Sequence, residues 1–539
     1  MKAIFALIFA FLGVRLSADP WVYGISFASD GLLRPWELAT DANSNIFLTG
    51  EFEGNLYLEE QIFPGMGASD TFLAKFDEQG TLLWCQTLIS DFENAGLGVG
   101  TDAWGNSYLG GYYSGTIYCQ GDSLVSNGMW DAYVAKFDPQ GALQWLQGFG
   151  GEMNDIFHGL AVIPSGQVFA GGWFADAILL EDETLQSYGG SDAMVISLDT
   201  HGNLLWARHG GGPGVEYGYK ISCDNAGNSY LTGWGSAGST FGEHILESHG
   251  MYVAKYDNVG TAQWLLSSDN AQVISISVQD HTSPQQKGAV SGRLSGSGSI
   301  GDFPFEVTDS INDFYWAEFD ASSGIWLSLE QHGGSGDDRG RDCDFAEHLV
   351  VVGSLSESIV FMDNEYQSAG GQDILFYDSL SGVLTAGGPE DEIAYAICRL
   401  PNGSIALAGW HFGSFNLGGF TLDSGSASSQ NGFLAIYDPA SSIQTAVQGS
   451  IAHHCYPNPF NPHITISYVL AQSGAIDLAI YDLRGRRVLT LEHGAKSAGA
   501  HESRWDGRDE SGKALPSGMY LYLLQSPLST VYGKMILLK

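Results

Sequence analysis

The chain has 539 residues, enough for several domains, and it carries a net charge of −39 at pH 7. A surface this acidic repels phosphate backbones, which excludes nucleic acid as an expected partner. The charge is uneven: residues 19–450 hold 11 Lys and Arg against 54 Asp and Glu, whereas residues 451–539 hold 9 against 7. The balance therefore changes from strongly acidic to slightly basic near residue 450.

Residues 1–18 are predicted to be a secretory signal peptide. Lys2 gives a positive start, residues 3–14 form an apolar run, and Ala18 is a small residue suited to cleavage. That run is too short to span a bilayer comfortably, and no later run approaches the roughly 20 residues of a membrane helix. We therefore expect an exported chain without a transmembrane segment.

Residues 19–440 contain an internal repeat that two separate sequence lines reveal. One line reads D-A-Y-V-A-K-F-D at 131–138 and has counterparts from 70–77 to 431–438. The other line ends in a glycine that recurs at steps of 61, 61, 61, 59, 61 and 56 residues. These repeat glycines are Gly50, Gly111, Gly172, Gly233, Gly292, Gly353 and Gly409. The chain thus holds seven repeats.

Each repeat predicts four β-strands separated by turns. The lines are apolar or alternating over four to eight residues, and tips such as 102–106 carry the Gly and Asn of hairpin turns. The fourth strand carries a tryptophan, as at Trp145, which we interpret as packing. The seventh repeat lacks this fourth line, while a lone copy occurs at 21–27. The pattern predicts an all-β, seven-bladed β-propeller that the N-terminal strand closes.

The repeats resemble the β-propeller repeat family with a D-A-Y-V-A-K-x-D line and a G-N-x-Y-x-T-G line. The resemblance covers about 21–438 and departs where Ser197, Glu318, Asp378 and Ile436 stand in place of a lysine such as Lys136. It implies a seven-bladed propeller and no shared reaction.

An aromatic residue follows the repeat glycine in four repeats, at Tyr112, Trp173, Trp234 and Trp410. If the strands end there, these rings meet at one rim and can stack on a glycan or a protein ligand. The alternative is that they pack between blades as core. These four aromatic residues are the candidate ligand-binding residues.

No cofactor and no catalytic residue is predicted. Acidic, glycine-rich links at 150–155, 333–338 and 387–392 offer oxygen ligands for Ca²⁺, but they match no calcium-binding motif and are interpreted as solvated loops. The six cysteines show no C-x-x-C spacing and are interpreted as buried apolar residues. A nucleophile elbow, an H-E-x-x-H motif and a phosphate loop are all missing from the sequence.

The tail begins after a polar linker at 441–450. Residues 451–539 read Y-P-N-P-F-N-P at 456–462, then six short strand patterns with a W-D-G turn at 505–507. This series resembles the C-terminal sorting domain of type IX secretion, and it is similar to the Ig-like domain of the flagellar hook-capping protein. The resemblance implies a small β-sandwich that the outer-membrane secretion machinery recognises, with Lys534, Met535 and Lys539 as recognition residues. A plain accessory sandwich is the alternative.

These expectations describe a secreted or cell-surface protein of a bacterium with two membranes. We expect a non-enzymatic binding or scaffold module. The alternative is a hydrolase or lyase that acts on polysaccharide from a site in the propeller channel.

Overall fold

The computed structural model describes residues 20–180, 183–280, 286–308, 311–362, 364–425, 429–439, 452–456, 458, 460–470, 473–482, 486–526 and 530–538. The predicted signal peptide, the linker 441–450 and Lys539 lie outside the described residues. The chain separates into two compact units, one of residues Trp21–Tyr437 and one that contains Asp438–Lys539.

The larger unit is all-β, as predicted. Its main strands pair into antiparallel groups of four, which we call quartets and number by repeat. Their bounds are Leu33–Thr40, Ile46–Phe52, Asp70–Phe76 and Leu82–Ser90; Asn94–Thr101, Ser107–Tyr113, Asp131–Phe137 and Leu143–Phe149; Asp155–Val162, Val168–Phe174, Asp192–Leu198 and Leu204–Gly211; Tyr217–Cys223, Ser229–Gly235, Gly250–Tyr256 and Ala262–Ser268; Ala271–Val278, Lys287–Leu294, Asp313–Asp320 and Ile325–Gly334; Arg339–Phe345, Leu349–Phe361, Asn364–Asp378 and Gly382–Ala386; and Glu392–Arg399, Ile405–Phe412, Gln430–Tyr437 and Trp21–Ser29.

The last quartet combines both ends of the unit. Strand Trp21–Ser29 pairs antiparallel with Gln430–Tyr437, as the lone Trp line predicts. The Tyr23 hydroxyl donates a 2.7 Å hydrogen bond to the carbonyl of Gly80 in quartet 1. The first strand of each quartet contacts that of the next, and Leu33–Thr40 contacts Glu392–Arg399.

Short hairpins follow the second strand of most quartets. Quartet 6 instead extends its own second and third strands. The hairpin strands are Asn55–Leu58 and Gln61–Pro64, Thr116–Cys119 and Asp122–Val125, Ala177–Leu180 and Glu183–Gln186, Thr240–Phe241 and His244–Ile245, Ser297–Ile300 and Phe303–Glu306, and Ser414–Leu417 and Phe420–Asp423.

The repeat motifs join one quartet to the next. Lys136 Nζ donates a 2.9 Å hydrogen bond to the carbonyl of Thr200, and Trp145 Nε1 donates to the same oxygen at 3.2 Å. Lys255 Nζ likewise bonds the carbonyl of Ala321 at 2.8 Å. Lys136 Nζ also lies 5.0 Å from the ring centroid of Tyr108, which adds a cation–π contact. The fourth-strand tryptophan thus packs between quartets, as interpreted from the sequence.

The repeat glycines are required by a close approach of the backbone. A Cβ built on Gly172 would lie against the carbonyl oxygen of Ile156 in the neighbouring first strand. Each of the other six repeat glycines meets a carbonyl oxygen of its own first strand in the same way. The glycine therefore recurs because no side chain fits there.

Gly172→Ala is expected to destabilise the larger unit by about 2–4 kcal/mol, because the added methyl must displace rigid backbone. Gly24→Ala is the matched control, since its Cβ would make ordinary 3.4 Å contact with Phe420. Urea denaturation of both variants measures the difference. Equal stabilities would contradict this explanation of the repeat.

The C-terminal unit is a two-sheet sandwich. One sheet contains Ala452–Tyr456, Ile464–Leu470 and Gly499–Trp505, and the other contains Arg487–Lys496, Gly474–Asp482, Gly518–Gln525 and Thr530–Leu537. The six predicted strands are present, and Ala452–Tyr456 is an additional strand. Trp505, from the W-D-G turn, is buried in the core between the sheets and donates through Nε1 to the carbonyl of Arg508 at 2.9 Å.

Candidate functional site

Every first strand of the larger unit contains a β-bulge at the same place. Seven register shifts leave one residue of each first strand unpaired, opposite the repeat glycine. A bulge re-aims its side chain and is common beside functional sites. The bulge residues are Trp36, Leu97, His158, Tyr219, Ile274, Arg341 and Tyr395.

All seven bulge residues line one cavity of about 760 Å³, which we call the central cavity. A volume of this size accommodates a small organic ligand or a short oligomer. The convergence follows from the repeat, since each quartet has its bulge at the same point of its first strand, opposite the repeat glycine. The site therefore contains one residue from every repeat.

Two of the four aromatic residues predicted to bind ligand line the central cavity. Tyr112 lies 5.0 Å from the ring of Trp130, and Trp173 lies 5.3 Å from the ring of Tyr217, both measured between centroids. Trp234 and Trp410 are not among the described residues that line it. Trp410 packs against Phe412 at 5.5 Å and lies 6.5 Å from the ring of Tyr395, a lining residue. Two of the four candidates therefore line the cavity.

Further aromatic contacts within the cavity come from the bulge residues. The rings of Trp36 and Tyr395 meet edge to face at 5.0 Å, and Tyr219 lies 5.9 Å from His158. Burial lowers the pKa of His158 to about 4, so this imidazole is neutral at pH 7. The cavity thus offers several ring faces with no charge on its histidine.

The carboxylates of the cavity come from quartet 1 and the turn before quartet 2. Glu51 pairs with Arg34 at 3.3 Å, and burial raises the pKa of its carboxyl. Glu93 accepts a 2.6 Å hydrogen bond from Nε1 of Trp130. Glu53 also lines the cavity and accepts from the backbone N–H of Leu32 at 3.2 Å.

Three charged residues that each stand one position after a bulge residue form a buried network. Lys220 pairs with Glu37, and its charge also acts on the carboxyl of Asp342. Asp342 accepts hydrogen bonds from the backbone N–H groups of Cys343 at 2.9 Å and Ile397 at 2.8 Å. Burial lowers the pKa of Lys220 and raises that of Asp342. This network joins residues of quartets 1, 4 and 6.

The acidic links between quartets are not solvated loops throughout, which corrects the prediction. Their last acidic residues, Asp155, Asp338 and Glu392, are fully buried. Asp155 and Glu392 accept from backbone N–H groups of their own links, at 2.7 Å from Gly151 and 2.6 Å from Gly388. Asp338 accepts from Ser356 at 3.1 Å. These carboxyls stabilise the turns that lead into the first strands of the next quartets.

No group of three or more His, Cys, Asp or Glu suited to a metal ion occurs among the residues that the structure describes. All six cysteines are free thiols; four of them are buried as predicted, whereas Cys223 and Cys455 are half-buried. The described part of the chain also contains no helix with the length and hydropathy of a membrane span.

In the C-terminal unit, two recognition candidates lie side by side on strand Thr530–Leu537. Lys534 is exposed, whereas the Met535 side chain is fully buried in the sandwich core. The Lys534 carbonyl accepts a 2.9 Å hydrogen bond from Nδ2 of Asn458, a residue of the proline-rich segment. The third candidate, Lys539, lies outside the described residues.

The bulge residues were missed by reasoning from the sequence. Their types differ from repeat to repeat, so they form no motif. A positional signal was present, since the bulge residue stands fourteen residues before the repeat glycine in five of the seven repeats. The aromatic candidates were chosen one residue after that glycine, on the neighbouring strand.

Comparison with known proteins identifies a family for part of the tail. The FlgD Ig-like domain model matches residues 463–526, which lie within the C-terminal unit. An uncharacterized WD repeat-containing protein of Acanthamoeba polyphaga mimivirus is 23% identical over 198 residues, which cover 30% of this chain. The match spans only 14% of that relative's length.

Solved structures with some likeness were also found. The Pan2 WD40 domain of Neurospora crassa covers 77% of this chain and 96% of its own, at 10% identity and a TM-score of 0.40. PorZ, a surface component of the type IX secretion system of Porphyromonas gingivalis, covers 94% of this chain and 81% of its own, at 11% identity and a TM-score of 0.21.

Proposed function

We propose that this chain is an exported binding protein of the cell surface or the extracellular space. Its larger unit is a seven-bladed β-propeller closed by strand Trp21–Ser29, and its ligand, a glycan, binds in the central cavity. The observation that carries the proposal is the convergence of all seven bulge residues on that cavity. Aromatic faces beside a few fixed polar groups are typical of saccharide sites.

The closed ring is supported by contacts between the two ends of the unit. Strand Trp21–Ser29 completes quartet 7, Tyr23 bonds to Gly80 in quartet 1, and the first strands of quartets 7 and 1 touch. Closure leaves no long sheet edge open to pairing with other chains. A single cavity lined by all seven repeats also supports this arrangement.

A glycan array combined with an activity screen tests the binding function. The mature full-length chain is expected to retain a defined set of glycans without cleaving them. Failure to bind any saccharide would contradict the proposal, and turnover of a bound glycan would replace it with the second candidate.

That second candidate is a polysaccharide hydrolase or lyase. The observation that favours it is Glu51, whose carboxyl pKa is raised by burial and which lies in the cavity with Glu53 and Glu93. Glycoside hydrolysis uses two carboxyl groups in different environments, and a raised pKa suits the one that acts as the acid. Loss of turnover in Glu51→Gln, with binding retained, would support this alternative.

We further propose that the C-terminal unit is a type IX sorting domain. The order of its motifs supports this, as does the match to the FlgD Ig-like domain. Because Met535 is buried, its role is to hold the last strand in place, and the side chain read by the secretion machinery is that of the exposed Lys534.

Deletion of residues 451–539 is expected to leave the protein in the periplasm, because the chain would then lack the signal for export across the outer membrane. Cell fractionation and surface proteolysis of the producing bacterium measure this. Lys534→Ala should impair export without lowering the thermal stability of the purified protein. Normal surface display of the deletion variant would contradict the sorting role.

A further inference from the structure

Positive charge is concentrated around the central cavity. Of the 11 Lys and Arg residues in the strongly acidic segment 19–450, three line this cavity, namely Arg34, Lys220 and Arg341. Arg293 donates through Nε to Oε1 of Gln272, a lining residue, at 2.6 Å. In a protein with so few cations, this placement indicates a ligand with negative charge.

Arg341 is the lining cation that has no ion pair in the described part of the chain. Arg34 pairs with Glu51 and Lys220 pairs with Glu37, but the described residues provide no carboxylate within ion-pair distance of Arg341. Its contacts are a long 3.5 Å hydrogen bond to Gln372 and the ring of Tyr395, 5.1 Å from the guanidinium carbon. Its Nε is buried without an acceptor.

Such an arrangement is costly unless an anion completes it. Arg341 is only 8% exposed, and a guanidinium remains protonated at any physiological pH. A buried charge therefore needs a partner, and a carboxylate matches the guanidinium fork through two parallel hydrogen bonds. Arg339 and Arg293 are two further cations whose charges act on Arg341. The carboxylate of Asp337 also acts on Arg341, but it is already paired with Arg339.

The lining carboxylates orient the anion. Glu51, Glu53 and Glu93 come from quartet 1 and the turn before quartet 2, and they repel a carboxylate there. The acidic group of the ligand is therefore directed toward quartets 5 and 6, and its neutral part lies over the aromatic residues of the other quartets.

The ring faces favour a saccharide over a peptide terminus as the source of the carboxylate. Tyr395 lies beside Arg341, and its ring meets that of Trp36 edge to face at 5.0 Å. A sugar acid supplies a flat face for these rings and a carboxylate for Arg341. A peptide terminus supplies the carboxylate without the flat face.

We propose that the central cavity binds an oligosaccharide that contains uronic acid, with Arg341 as the residue that binds its carboxylate. This proposal rests on the saccharide-binding function above and names its ligand class.

Isothermal titration of the mature full-length chain with oligogalacturonate, oligoglucuronate and oligomannuronate tests it. The expected result is binding of at least one of these acids and weaker binding of its methyl ester, which is neutral. Arg341→Gln should weaken acid binding by roughly tenfold or more and leave ester binding unchanged. Arg208→Gln is the matched control, because Arg208 lies on an outer strand and bonds the Gly260 carbonyl at 2.8 Å.

Arg341→Lys keeps the charge and is expected to bind with intermediate affinity, which covers the case in which Arg341→Gln does not fold. Equal binding of acids and esters would overturn the uronate proposal while leaving the saccharide function intact. Preference for a peptide with a free C-terminal carboxylate over its amide, without uronate binding, would overturn both.

Discussion

Raising the pH from about 6.5 to about 8.5 is expected to lower the free energy of unfolding of the larger unit by on the order of 4 kcal/mol. The cause is burial of carboxyls at the turns between quartets. Burial raises the pKa of Asp155 and Asp338 to about 7, of Asp373 to about 6 and of Glu392 to about 8. The folded state therefore holds protons that the unfolded state has released.

The direction of this pH dependence follows from the shifts in pKa. A raised folded-state pKa contributes stability that is complete below pH 4, the unfolded value, and is lost as the pH rises through 6 to 8. His158, His332 and His411 act in the opposite direction, because burial lowers their pKa to about 4. Their contribution is complete above pH 6.5 and is lost only below it. The histidines therefore offset only a small part of the loss between pH 6.5 and pH 8.5.

Urea denaturation at pH 6.5, 7.5 and 8.5 measures this effect. Asp155→Asn and Glu392→Gln remove a titrating group while keeping its shape, so each should flatten the dependence. Glu60→Gln is the control, since Glu60 is exposed. Constant or rising stability toward pH 8.5 would show that these carboxyls are ionised in the folded protein.

Lys220→Met is expected to destabilise the larger unit by roughly 3 kcal/mol, because it leaves Glu37 and Asp342 without their cation in a buried site. The side chains of Lys220 and Glu37 are only 18% and 14% exposed. Asp342→Asn in the same chain should recover part of the loss, since it removes one of the two stranded carboxylates.

Lys287→Met is the matched control for this substitution. Lys287 pairs with Glu318 at 2.7 Å, but its side chain is 38% exposed, so its loss should cost less than about 1 kcal/mol. Thermal unfolding of the three variants measures the comparison. Similar losses of stability in Lys220→Met and Lys287→Met would mean that water screens the charges of Lys220, Glu37 and Asp342.

The sequence predicts most of the scaffold because the strands of each repeat have local apolar and turn patterns. Lys136 and Trp145 recur since both bond the carbonyl of one turn in the next quartet, and such contacts leave a periodic trace. The pairing of Trp21–Ser29 with Gln430–Tyr437 was also predictable, because the missing line of one repeat is present at the other end of the unit.

The candidate site was predictable only in part. Tyr112 and Trp173 reach the central cavity, but Trp234 does not, although all three follow a repeat glycine. The cavity is formed by bulges, and a bulge interrupts the two-residue alternation from which strand faces are predicted. Arg341 resembles any other strand residue in the sequence. Only the structure shows that it lines the cavity without an ion pair among the described residues.

The central cavity is the proposed ligand site, and titration of two tryptophan variants tests this assignment most directly. The strongest glycan from the array is titrated into the mature chain, into Trp173→Ala and into Trp234→Ala. Both tryptophans are half-buried and occupy the same repeat position, but only Trp173 lines the cavity. Loss of a stacked ring should weaken binding roughly tenfold or more in Trp173→Ala and leave Trp234→Ala unchanged. Equal affinity of all three chains, or a loss confined to Trp234→Ala, would contradict the claim.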